Sequence, residues 1–123
     1  MTITVALAQV PGILGDLLEG VIQEDPAFRL LARVAEPEDV VTAVGGQELD
    51  AVVVCSVDGS VPCLAERLLD GICSAVVAVS PDGKSASLRV GDRETVRVRN
   101  PSPGELLDAI RVQLRASEEN RDA

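Results

Sequence analysis

Two uninterrupted apolar runs constrain this chain most: Ala51-Val52-Val53-Val54, framed by Asp50 and Cys55, and Ala75-Val76-Val77-Ala78-Val79, framed by Ser74 and Ser80. A strand with one wet face must alternate between apolar and polar residues. A run that is apolar at every position has to be covered on both sides, so each reads as a central strand of a parallel sheet packed between helices. The composition agrees, because 46% of the residues are hydrophobic, nearly all of them Val, Leu, Ala and Ile, and Phe28 is the single aromatic residue. At 123 residues the chain has the usual size of one domain.

The remaining elements follow from periodicity and punctuation. Ile3, Val5 and Leu7 alternate as a first strand. Ile13, Leu14, Leu17, Leu18, Val21 and Ile22 recur at helical spacing after Pro11, and the pattern predicts a buried stripe ended at Asp25-Pro26. Residues 28–35 predict a strand that turns Arg29 and Arg33 outward. A short helix follows Glu36-Pro37-Glu38-Asp39 and stops at Gly45-Gly46. A loop at residues 56–60 and a helix at about 61–69 are expected between the two apolar strands. Pro81-Asp82-Gly83 then reads as a turn, and residues 85–90 and 95–99 alternate with period two. They predict a hairpin with Ala86, Leu88, Val90, Val96 and Val98 on one face and Arg89, Arg97 and Arg99 on the other. Ser102-Pro103-Gly104-Glu105 is a capping box opening a last helix striped by Leu106, Leu107, Ile110 and Leu114. Residues 117–123 read as a charged flexible tail.

Charge and residue usage then remove function classes. A net charge of −9 repels nucleic acid and anionic membrane. That charge is polarised: residues 1–50 carry two basic and nine acidic groups, whereas residues 84–99 carry five basic and two acidic. A complementary protein partner or self-association as a homodimer suits such polarity, and an ordinary solvated face is equally consistent with it. Histidine is absent, which leaves out most triad and metallohydrolase mechanisms. Three cysteines without paired short spacing form neither a disulfide framework nor a zinc knuckle. No stretch is long and apolar enough to span a bilayer, and a cytoplasmic location is expected. The segments 56–60 and 80–85 carry fragments of phosphate-loop character without its upstream glycines, and they read as connecting turns.

Strands and helices alternating at short intervals give the expected fold: α/β, a doubly wound, flavodoxin-like, mostly parallel sheet whose fourth crossover helix is replaced by a β-hairpin. Sites in such folds gather at the carboxyl ends of the strands. At this level the chain resembles a response-regulator receiver domain over most of its length. Residues 4–14 are similar to the opening strand and first helix of receivers attached to DNA-binding regulators, 24–28 to the acidic, proline-containing turn, and 99–110 to the final-strand loop and last helix. The resemblance implies one pseudo-receiver domain over residues 1–116.

Carried over residue by residue, the family's metal-binding acidic pair falls on Gln9 and Val10, its phosphoacceptor on Cys55, its switch hydroxyl on Ser80 and its phosphate-binding lysine on Arg99. Gln9 and Val10 supply no carboxylate for magnesium, and a thiol replaces the phosphorylated aspartate. The expectation is therefore a non-enzymatic signalling module that works without phosphorylation or any cofactor. It would engage a protein partner through the hairpin and last-helix face with Arg89, Arg97 and Arg99. The alternative is a redox- or small-molecule-responsive domain using the crevice around Cys55, with Cys63 and Cys73 serving packing.

Overall fold

The two apolar runs stand side by side in the middle of one sheet. In the computed structural model, which describes residues 3–10, 12–35, 39–45, 49–55, 73–80, 82, 84–90, 96–100 and 102–121, β1 (Ile3–Ala8), β2 (Phe28–Val34), β3 (Leu49–Cys55) and β4 (Cys73–Val79) run parallel. β5 (Ser85–Val90) and β6 (Val96–Arg99) extend the sheet antiparallel, in the order β2-β1-β3-β4-β5-β6. Three helices are described: α1 (Gly12–Glu24), α2 (Asp39–Val44) and α3 (Pro103–Arg121).

This arrangement corrects the expected doubly wound, flavodoxin-like sheet. That fold keeps its strands parallel and links them through helical crossovers on both faces. Here the third of the sheet beyond β4 is antiparallel, and the strand that leads into the last helix stands sixth in the order. The cause is local. Residues 80–84 are too few to carry the chain back for a parallel strand, which takes a crossover of a dozen or more residues, so β5 must return alongside β4. The result is a mixed α/β fold dominated by its strands. The expected loop and helix between β3 and β4, and the Gly91-Asp92-Arg93 turn, lie outside the described residues.

Side chains sort onto two faces. On one, α1 and α3 pack Leu18, Ile22, Leu107 and Ile110 against Val5, Leu7, Val53, Val77 and Leu88. On the other, α2 sets Val40 and Val44 on Ala6, Ala8, Val52 and Val54. Ala51 through Val54 and Ala75 through Val79 are all buried, as strands covered on both sides require. The buried stripe of α1 is narrower than its periodicity predicts: Leu18 and Ile22 are buried, but Ile13 is 83% and Leu17 53% exposed.

A β-bulge alters the second strand. The pairing shifts between Val5 and Ala6, so that Val5 faces Leu30 while Ala6 faces Ala32. The extra residue moves Arg33 off the face of Arg29 and onto the side of α1, since one inserted residue flips every side chain beyond it. There Arg33 reaches Asp16 at 2.7 Å and Glu19 at 3.1 Å. Its guanidinium lies where a Cβ on residue 15 would stand, which is why a glycine fits at that buried turn of α1. The hydrogen bond to Asp16, followed by Glu19, raises the pKa of Arg33.

Polar ties fix the ends of the elements. Thr4 and Asp50 bond reciprocally at the start of β1 and β3: the Asp50 carboxylate accepts from the Thr4 N–H at 2.8 Å, and the Thr4 hydroxyl accepts from the Asp50 N–H at 3.0 Å. The turn after α1 is closed by the Asp25 carboxylate, which accepts from the Ala27 N–H at 2.9 Å. Arg111 of α3 donates to the same carboxylate at 2.9 Å while lying 5.5 Å from the centre of the Phe28 ring. At α3 the Ser102 hydroxyl accepts from the Glu105 N–H at 3.2 Å, the cap expected of that motif. The backbone stays helical through Arg121, past residue 117.

Candidate functional site

Three of the five residues assigned to the strand-end pocket do fall on neighbouring strand ends. Gln9 follows β1, Cys55 ends β3 and Ser80 follows β4, three adjacent strands whose carboxyl ends point the same way. Arg99 does not join them. It ends β6, three strands from β3, which at about 4.8 Å per strand places its backbone roughly 14 Å from Cys55. Strand alternation separates the two further. Cys55 shares the parity of the α1-side residue Val53, whereas Arg99 pairs with Ser85 on the opposite parity from Ala86. The antiparallel β5 occupies the lateral position in which a doubly wound sheet would have set the arginine-bearing strand.

Of the residues near that strand end, Val10, Gln9 and Ser80 are each committed locally. Val10 is half-buried and packs against the α1-side core. Gln9 is exposed and takes a left-handed backbone, φ 56°, with its N–H donating to the Val34 carbonyl at 3.0 Å. The Ser80 hydroxyl is buried inside the β4–β5 turn. It donates to Asp82 Oδ1 at 2.6 Å and accepts from the Ser85 N–H at 3.1 Å, while the Ser80 and Ser85 backbones bond at 2.9 Å. Asp82 Oδ1 also accepts from the Lys84 N–H at 3.0 Å. The hydroxyl is thus a turn closer, with its proton and a lone pair both engaged. These bonds, the Ser80 hydroxyl first, hold the Asp82 carboxyl below its ordinary pKa.

Cys55 is a free, half-buried thiol. Burial pushes its pKa up, which lowers the thiolate fraction that oxidation or nucleophilic chemistry draws on. Among the described residues no group of three or more Cys, Asp or Glu side chains could hold a metal ion. No helix among them is long and apolar enough to cross a membrane.

The hairpin keeps its expected faces, with Val96 and Val98 opposite Leu88 and Ala86 on one and Arg97 and Arg99 opposite Ser87 and Ser85 on the other, the parity of Arg89, but exposure is graded along each. Arg97 and Arg99 are exposed on β6, the outermost strand, with no ion-pair partner among the described residues. Arg89 stands apart from them, half-buried on the inner strand β5 opposite Val76. The apolar face is likewise graded: Ala86, Leu88 and Val90 are buried, whereas Val96 is 38% exposed.

The hydrogen-bond phase of the hairpin identifies the open backbone groups. Asn100, in a left-handed conformation at φ 47°, donates its N–H to the Lys84 carbonyl at 2.6 Å. Directly opposed antiparallel pairs alternate between bonded and non-bonded, so the bonded sites after Asn100 are Val98 and Val96, opposite Ala86 and Leu88. The N–H and C=O groups of Arg97 and Arg99 therefore point away from β5, toward the open side of the sheet.

The opposite edge has a different surface. A groove of about 490 Å³ runs between α1 and β2, lined by Glu19, Ile22, Gln23 and the strand from Phe28 to Arg33. Sequence reasoning missed this groove, because alternation along a strand does not record where a helix leaves it uncovered. Compared with family models, with curated proteins and with solved structures, the chain finds no match in any of the three.

Proposed function

We propose that this chain is a non-catalytic regulatory module that engages a protein partner without phosphorylation, in the manner of a degenerate receiver, through the β6 edge and the adjoining α3. One observation carries this reading: in a chain of net charge −9, two exposed arginines flank the open backbone of an edge strand. The strand end offers little to a phosphotransfer alternative, since Gln9 and Val10 bring no carboxylate and the Ser80 hydroxyl is consumed by its own turn. The raised pKa of Cys55 likewise gives a redox sensor little support.

The test is photo-crosslinking in native cells, with a benzophenone side chain placed at the exposed Val96 of β6, at Val112 on the exposed side of α3, or at the exposed Thr42 of α2. A discrete protein adduct from the first two positions and none from Thr42 is expected. Adducts from all three alike, or from neither of the first two, remove the proposal. Acetyl phosphate with magnesium is expected to leave the amide spectrum around Cys55 unmoved; a shift there ends the claim of phosphorylation independence.

A further inference from the structure

The interaction reading leaves open how a partner binds, and the geometry of β6 points to a mode. Resting on that reading, we propose that β6 receives an extended acidic segment as a seventh strand, with carboxylates of the incoming chain set opposite Arg97 and Arg99.

Three observations combine. β6 is an edge strand, and its outward N–H and C=O groups belong to Arg97 and Arg99, as the Asn100 to Lys84 bond requires. Unpaired groups of this kind form a template for strand addition. The two guanidinium-bearing side chains, two residues apart, lie on one face about 7 Å from each other along the strand, the spacing of alternate side chains on any partner strand. The opposite face presents Val96, 38% exposed, and the half-buried Val98. A partner alternating acidic with apolar or β-branched residues matches both faces at once.

Charge selects the occupant. A second copy pairing β6 with β6 antiparallel would set Arg97 against Arg99 and Arg99 against Arg97, and like charges directly opposed are destabilising. Nucleic acid meets the repulsion of the whole chain at −9. An acidic strand meets neither obstacle, and its carboxylates form charge-assisted bonds to both guanidinium groups.

The experiment uses the full chain, isotope-labelled, titrated with the blocked peptide Thr-Glu-Val-Glu-Thr and with its counterpart carrying lysine in place of glutamate. Amide shifts centred on Arg97 and Arg99 are expected with the acidic peptide, together with at least tenfold slower exchange of those two amides. The lysine peptide is expected to leave them in place. Arg97→Pro removes an outward N–H while sparing the bonds to β5, and the Arg97→Gln, Arg99→Gln pair removes the charges while sparing the backbone. Each is expected to weaken binding at least tenfold, with spectra elsewhere in the sheet unchanged as proof of folding. Equal binding of the lysine peptide, shifts confined to α3 or the α1–β2 groove, no shifts, or undiminished binding by the glutamine pair overturns the proposal. Tighter binding of oligothymidylate at the same amides would overturn it in favour of a nucleic-acid site. If partner crosslinks from Val96 persist while the peptide fails to dock, the strand geometry falls and the interaction module stands.

Discussion

The two edges of the sheet treat Arg33 and the pair Arg97 and Arg99 in opposite ways. At β2 a bulge turns Arg33 toward α1, where Asp16 and Glu19 pair with it and a glycine makes room for it. At β6 the strand is regular, and Arg97 and Arg99 stand exposed on one face, their own N–H and C=O groups turned outward. A bulge is one of the devices by which proteins spoil an edge for further pairing. The molecule has thus spoiled one edge and left the other open, guarded against its own kind by charge alone. The difference teaches that an arginine on an edge strand has no fixed meaning: its register relative to a bulge decides whether it closes the edge or addresses it.

This contrast can be broken or sharpened by perturbation. The largest effect is expected from Leu88→Ala. Leu88 is 2% exposed and anchors the hairpin to the α1-side core, so a loss of about 2–4 kcal/mol should appear in urea unfolding. Ser80→Ala comes next. It strips a buried donor and acceptor from the β4–β5 turn and should cost about 1–2 kcal/mol. Its signature is faster amide exchange in β5 and β6 while β1 and β2 keep theirs; equal loosening at both edges would refute the role given to this turn. Arg33→Ala should be milder, since its ion pairs are solvent-accessible, but it should open the β2 edge and increase concentration-dependent association measured by sedimentation. Smallest of all, Arg97→Glu with Arg99→Glu should leave the melting temperature unchanged while abolishing acidic-peptide binding.

Acid supplies a further probe, of the β4–β5 turn. Because the Asp82 carboxyl is held below its ordinary pKa in the folded turn, its contribution is complete above the unfolded value and is lost as pH falls through the depressed folded value. The Lys84 amide, bonded to that carboxylate, should therefore move in an acid titration later than an unperturbed aspartate would dictate. A midpoint at the ordinary aspartate value would show that the turn bond is not formed in solution.

Much of the local structure was legible in the chain, and the reason is that it is local. Consecutive apolar residues marked β3 and β4, alternation marked β5 and β6, and Ser102 through Glu105 marked the start of α3 with the hydrogen bond later found there. The lateral order of strands was not legible, because a run of residues records how deeply a strand is buried and nothing about which strand lies beside it. The receiver resemblance accordingly set Arg99 beside Cys55, where the antiparallel β5 keeps it away. Ser80 was visible as a strand-end hydroxyl, but its partners Asp82 and Ser85 turned it from a switch into a fastening. The tie from Arg111 to Asp25 spans 86 positions and carries no mark in the chain. Ile13 and Leu17 matched the helical period as well as Leu18 and Ile22 did, yet the narrow contact of α1 with the sheet covers only the latter pair.

The connection between β6 and α3 is three residues long, and its first residue is pinned to Lys84. So short a tether has no slack. A sideways displacement of the outer strand must tug on the first turn of the long helix, where Ser102 holds the amides of Glu105 and Leu106. Occupancy along the rim would be felt at the start of a helix nineteen residues long.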